Sequence, residues 1–175
     1  MIEFTPMTAG DLVLFHEWLR RPHVKRWWRD RDTYEDVVEH YLPAIEGREP
    51  SDHYLIVLDG RPVGVIQTYL VSDYPEWEAI VHVGDGVAGV DLAIGEEDLI
   101  GRGVGPQVLS HFAREIVFAR PGTNACVATV EEPNRRSWRA FEKAGFRYVA
   151  DVQEDGLPHR LMRLDRESPG GCGRG

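Results

Sequence analysis

The sequence predicts an α/β or α+β fold: a mixed sheet with helices packed against it. Three observations predict it. First, residues 91–118 read as strand, glycine loop and helix: an apolar run at 90–94, an acidic bend at 95–98, the glycines Gly101, Gly103 and Gly105, then Val104, Val108, Leu109, Phe112, Ile116 and Val117 at helical spacing. Second, Asp59-Gly60 lies between two apolar runs, a strong hairpin signal. Third, short apolar runs alternate with helical-period segments in the order βααββ(β)βαβαββ, with no internal repeat and no linker. The 175 residues suit one domain, taken as 1–165, followed by a flexible Ser/Pro/Gly/Arg tail at 166–175.

The elements follow in order. Residues 2–6 alternate and read as an edge strand. Thr8, with Asp11 at the capping-box distance, opens a helix carrying Leu12, Phe15, Trp18 and Leu19, and Pro22 should end it. Residues 23–32 read as a loop centred on Trp27 and Trp28, and Thr33 caps a second helix that closes near Gly47. Strands at 53–58 and 63–71 flank the Asp59-Gly60 turn, with Gly64 a candidate bulge. Residues 77–83 read as a short strand or ordered loop, 84–89 as loop, and 90–94 as the central strand. A helix at 103–119 ends at Pro121-Gly122 and a buried strand follows at 125–130. A helix then runs from Pro133 or Asn134 to Lys143, with Gly145 as its C-cap. A last hairpin turns at Asp155-Gly156.

Composition narrows the function. Hydrophobic residues make up 42%, enough for a packed core. The N-terminus lacks a basic-then-apolar signal pattern and no run could span a bilayer, so a cytoplasmic protein is expected. A net charge of −9 argues against nucleic acid or an anionic membrane as partner and suits a cationic small molecule, although solubility alone would also explain it. Two cysteines, Cys126 in an apolar run and Cys172 in the tail, give no metal spacing and no expected disulfide.

The glycine loop opening a helix is a candidate phosphate cradle, because helix N-termini present unpaired N–H groups and a positive dipole end. Alone it equally reads as a tight turn before a helix. The P-loop and dinucleotide-fold glycine spacings are both absent.

A second stretch adds to it: Asn134, Ser137, Phe141, Glu142, Lys143, Gly145 and Phe146 fit N-x-x-[ST/A]-x-x-x-[YF]-E-K-x-G-F. Together the two stretches resemble the GCN5-related N-acetyltransferases. The segments EWLRRPHVKRWW, HYLPAI, DGRPVGVIQTYLV and GVDLAIG narrow this to a similarity with the aminoglycoside 6'-N-acetyltransferases and related siderophore acyltransferases, over roughly residues 4–164. The resemblance implies a splayed central sheet flanked by helices and direct acetyl transfer from acetyl-CoA to a primary amine in a ternary complex.

The resemblance also implies roles for residues. Asp91 matches the family's GVD or GID carboxylate and is the candidate base or amine anchor; without the family it reads as an Asp in a turn. The backbone of Leu92, Ala93 and Ile94 should carry the pantetheine arm. Arg102, Gly103, Val104, Gly105 and Pro106 should meet the pyrophosphate, with Ile100 standing where Gln or Arg is usual. Asn134, Phe141 and Lys143 are implied near the cofactor; Asn134 equally reads as a helix cap. Phe141 replaces the Tyr that many members use to protonate the leaving thiolate. The acceptor wall is implied to include Trp27, Trp28, Gln67 and Tyr69, with one Trp buried and one facing the pocket; Glu78, from the preceding segment, is an alternative to Asp91, and Glu131 and Glu132 are candidates to substitute for a missing acceptor carboxylate. Glu76 and His82 are further candidates. A family Asp that contacts the acceptor appears here as Thr129. Competing activities are acylation of a lysine-type or hydroxylysine-type siderophore precursor, acetylation of a protein N-terminus, and non-catalytic binding of acyl-CoA. A monomer or homodimer is expected.

Overall fold

The computed structural model describes residues 1–29 and 33–167. Most of the expected tail, with Cys172, and residues 30–32 of the expected loop lie outside them. Seven strands form one sheet: β1 (Ile2–Pro6), β2 (Ser51–Leu58), β3 (Arg61–Leu70), β4 (Val87–Ile94), β5 (Ala125–Glu131), β6 (Arg147–Glu154) and β7 (Leu157–Asp165). Their order is β1-β2-β3-β4-β5-β7-β6. Only β4 and β5 are parallel, and they pair at three positions, Val87 with Ala125, Ala88 with Cys126 and Gly89 with Val127. Beyond Gly89 the two strands diverge, so 90–94 face a gap where a neighbour would lie.

Helices cover both faces. On one lie α5 (Val104–Phe112) and α6 (Arg135–Lys143), sealed by Ile56, Ile66, Val90, Leu109, Phe112 and Met162, all 2% exposed or less. Alternate residues of the same strands face the other side. There α1 (Leu12–Leu19) and α3 (Tyr34–Ile45) pack on Leu55 and Val65, and α4 (Pro75–Val81) packs near Val87, Val127 and Leu161. Asp91, in register with Gln67, lies on this second face between the two clusters.

Local chemistry explains most boundaries. Thr8 N–H donates to Asp11 Oδ2 at 2.8 Å, completing the capping box ahead of α1. Thr33 accepts from the Asp36 amide at 3.1 Å at the start of α3. The Asp-Gly turns have positive φ at both residues, 50° and 79° at Asp59-Gly60 and 50° and 75° at Asp155-Gly156, which matches strand twist.

Several expectations are corrected. Pro22 does not merely end α1; it is the first residue of a helical turn, α2 (Pro22–Lys25), where its missing N–H costs nothing. The segment read as strand or loop at 77–83 is α4, with Pro75 and two glutamates in its first turn. Residues 87–89 are strand, not loop, so Asp91 is the fifth residue of β4 rather than its start. The bulge falls at Val63 beside Gly64, since Ile56 pairs with Gly64 while Val57 pairs with Pro62. The helix at 103–119 loosens into a π turn at Ala113–Val117.

The end of β4 is fixed by Glu96. Its carboxylate accepts from the Trp18 indole at 2.9 Å and from Arg21 at 3.0 Å, and it pairs with Arg61. Desolvation would raise its pKa, but the Trp18 bond and the charges of Arg21 and Arg61 outweigh it and lower it. That contribution to stability is present above the ordinary carboxylate range and is lost as pH falls through the lowered value. Trp18 is 1% exposed, so Glu96→Ala orphans a buried N–H. The variant is expected to lose roughly 2–3 kcal/mol. A urea midpoint equal to wild type at pH 7 would contradict this.

Candidate active site

The diverging halves of β4 and β5 line a cleft of about 790 Å³. Val90 to Ile94 form one side and Ala128 to Glu131 the other. Leu92, Ala93 and Ile94 therefore line it along the β4 edge that has no strand partner. Such an edge presents N–H and C=O groups to any extended chain laid beside it.

At the start of α5, Gly103 adopts φ 80°, a left-handed conformation that suits glycine, and no side chain caps the helix. Val104, Gly105 and Pro106 line the cleft. The first amides of α5 thus point an uncapped, positive helix end at it. α6 packs close by, for a Cβ at Gly105 would stand 3.6 Å from Ala140 Cβ, an ordinary van der Waals contact. Arg102 is exposed and stands outside the lining, whereas Ile100 and Gly101 belong to it. On α6, Asn134 lines the cleft and also caps the helix, accepting from the Ser137 amide at 3.3 Å. Phe141 lines it as well, 3% exposed and edge-on to Phe146, with no proton to give. Lys143 is joined there by Arg135, Arg136 and Arg139, three cations that sequence reasoning passed over although their helical spacing was readable.

Asp91 keeps some surface in the cleft, while protein encloses it on the remaining sides. Its Oδ2 accepts from Gln67 Nε2 at 3.0 Å and from the Tyr69 hydroxyl at 3.2 Å. Gly89 makes the second bond possible, because a Cβ there would fall 2.5 Å from the Tyr69 ring. Tyr69 in turn packs edge-on against Tyr74 and Trp77. Desolvation raises the Asp91 pKa; the Gln67 and Tyr69 bonds oppose it and the charge of Glu154 adds to it. Burial, and then Asp91 itself, push the Tyr69 hydroxyl well above its ordinary value, so it stays a donor.

Gln67 and Tyr69 thus stand behind Asp91 rather than in the cleft wall. Trp27 and Trp28 both line the cleft, contrary to the expected division of labour. Trp28 is shared: its indole donates to Tyr41 at 3.0 Å and its ring meets Phe15. Glu131 lines the cleft but is taken up by a two-point ion pair with Arg29, at 2.7 and 2.9 Å. His23 Nε2 sits 3.1 Å from the Ile94 carbonyl, so the α2 segment bridges the gap from β4 to β5. Glu78 is not in the cleft; it accepts from the Gly84 amide and closes α4. Glu76 and His82 are exposed and outside the lining.

Among the described residues no group of three or more His, Cys, Asp or Glu side chains could hold a metal, and no helix is long and apolar enough to cross a membrane. Cys126 is fully buried and burial holds its thiol above the ordinary range, which removes it as a nucleophile at neutral pH.

A sequence profile of the acetyltransferase (GNAT) domain matches residues 8–154. The aminoglycoside N(6')-acetyltransferase type 1 of Klebsiella pneumoniae is 32% identical over 167 residues, covering 93% of this chain and 82% of that protein. The crystal structure of aminoglycoside acetyltransferase AAC(6')-Ib in complex with coenzyme A superposes with a TM-score of 0.86 at 31% identity, covering 95% of each chain. The complex of that enzyme with coenzyme A and kanamycin gives 0.85 at 30% identity, again with 95% of each chain covered. A splayed sheet, an uncapped helix end at its gap and these likenesses agree, and the chain belongs to the GNAT acetyltransferases.

Proposed function

We propose that the protein moves an acetyl group from acetyl-CoA to a primary amine of a polycationic small molecule, the 6'-amine of an aminoglycoside. The relatives at 32% identity are aminoglycoside N(6')-acetyltransferases, those acting on lysine or hydroxylysine are 24% identical, and a solved aminoglycoside acetyltransferase at 30% identity is seen with kanamycin and coenzyme A. What supports the reading in this chain is one juxtaposition: Asp91 opens onto the cleft where β4 loses its partner, next to the unpaired edge of 92–94.

That edge and the α5 N-terminus fit coenzyme A. An extended pantetheine arm matches the backbone groups of 92–94, and phosphates match the amides of 103–105 with the α6 cations nearby. The bound cofactor supplies a thioester carbonyl open to attack. Asp91 anchors the acceptor's ammonium and accepts a proton from it, so that the neutral amine attacks. Gln67 and Tyr69 hold the carboxylate still for that transfer. Trp27 and Trp28 offer aromatic faces to sugar rings and cationic groups. Because Phe141 cannot protonate the departing thiolate, that proton comes from the amine, from water or from Ser137, which lines the cleft. We further infer a cytoplasmic protein, where acetyl-CoA is at hand.

Free coenzyme A release from acetyl-CoA should depend on kanamycin or tobramycin. Release that depends instead on lysine or N-hydroxylysine would move the assignment to siderophore precursors. No release with any of these amines would leave only binding.

A further inference from the structure

Thr129 is a cleft residue, yet its hydroxyl is turned to β6, where it donates to Glu154 Oε2 at 2.6 Å. β5 continues past Val127, so Thr129 takes the position opposite Asp91 across the gap, and side chains two residues apart share a face. The β6–β7 hairpin thereby holds a second carboxylate directly behind Thr129, one hydrogen bond from the cleft wall, although Glu154 is not itself a lining residue. Glu154 is half-buried, and its charge is felt at both Asp91 and Tyr69. Among the described residues neither Asp91 nor Glu154 has an ion-pair partner, whereas Glu131 is held by Arg29. A partly buried carboxylate set beside another without a cation is an unfavourable arrangement unless a cation arrives.

We propose that Glu154 is an acceptor-specificity residue. Positioned by Thr129, it holds an ammonium group of the acceptor other than the one that Asp91 prepares for acetylation. Asp91 in the wall and Glu154 reached past Thr129 select a molecule with at least two amines, and they distinguish it from a monoamine carrying the same reactive group. The inference rests on the polycationic-acceptor reading above.

The experiment is calorimetric titration of kanamycin into the coenzyme A complex, paired with steady-state kinetics, for wild type, E154Q, E154D and T129V. E154Q should weaken kanamycin binding and raise its KM by about tenfold or more, with kcat and the acetyl-CoA KM within about twofold of wild type. E154D should recover part of the loss, and T129V should lose part of it by freeing the carboxylate. For 6-amino-6-deoxyglucose, a monoamine, E154Q should leave kcat/KM within about twofold of wild type. Unchanged kanamycin affinity in E154Q, or equal losses for both acceptors, would overturn the inference and leave the acetyltransferase assignment intact. If E154Q fails to fold, T129V decides on the same readouts. A wild-type protein that neither binds nor acetylates kanamycin would sink the polycation reading and this inference together.

Discussion

Asp91→Asn is expected to lower kcat by about 10²–10⁴ while acetyl-CoA still binds. Asn keeps the shape and can still accept from Gln67 and Tyr69, so the bonds at 3.0 and 3.2 Å need not move. What disappears is the carboxylate proposed to take the proton. The pH profile gives a second readout. Desolvation raises the Asp91 pKa, so the acid limb of wild-type kcat/KM should lie above the ordinary carboxylate range, and activity should rise with pH through that raised value. The linkage has the opposite sign for stability. An acid that titrates higher in the folded than in the unfolded state contributes stability below the unfolded pKa, and that contribution is lost as pH rises through the folded value. Asn carries no charge, so the variant should lose this decline. A kcat within tenfold of wild type, accompanied by a raised acceptor KM, would reduce Asp91 from base to anchor.

The largest structural effect is expected at Gly64→Ala. A Cβ there would stand 2.2 Å from the Ala93 carbonyl oxygen and 3.0 Å from Ile94 Cα. These are backbone atoms of the strand that borders the cleft, so no side chain can swing aside. Overpacking in a core costs about 1–3 kcal/mol, and a clash with paired backbone belongs at the upper end or beyond, about 3 kcal/mol or more. Coenzyme A affinity should fall too, because the displaced residues are those offered to the pantetheine arm. Urea unfolding with coenzyme A titration tests both. A loss under about 1 kcal/mol would mean that β3 and β4 separate more freely than their pairing implies.

Much of this was readable in the sequence where the signal was local. Capping boxes at Thr8 and Thr33, both Asp-Gly turns and the run from the glycine loop into α5 depend on neighbours in the chain. Asp91 became a candidate only through the resemblance of its GVD segment to a family, since its local sequence reads as an Asp in a turn. α4 was missed because its seven residues make barely two turns, too few for a helical period to separate from a strand's alternation. Pro75 and the two glutamates were its start signal. Glu154 was invisible for another reason. Its bond to Thr129 depends on how a distant hairpin folds over the sheet, which leaves no pattern in the chain. Glu78 shows the converse: a carboxylate near the right segment, spent on closing its own helix.

The gap between β4 and β5 ties the protein's persistence to its cofactor. Strand pairing stops after Gly89, so without coenzyme A the sheet carries an internal open edge. A pantetheine arm would complete it, and a ligand that binds only the folded chain stabilises it by mass action, about 2.7 kcal/mol at a hundredfold excess over Kd. The fraction of molecules exposed to proteases would then rise as the acetyl-CoA supply falls.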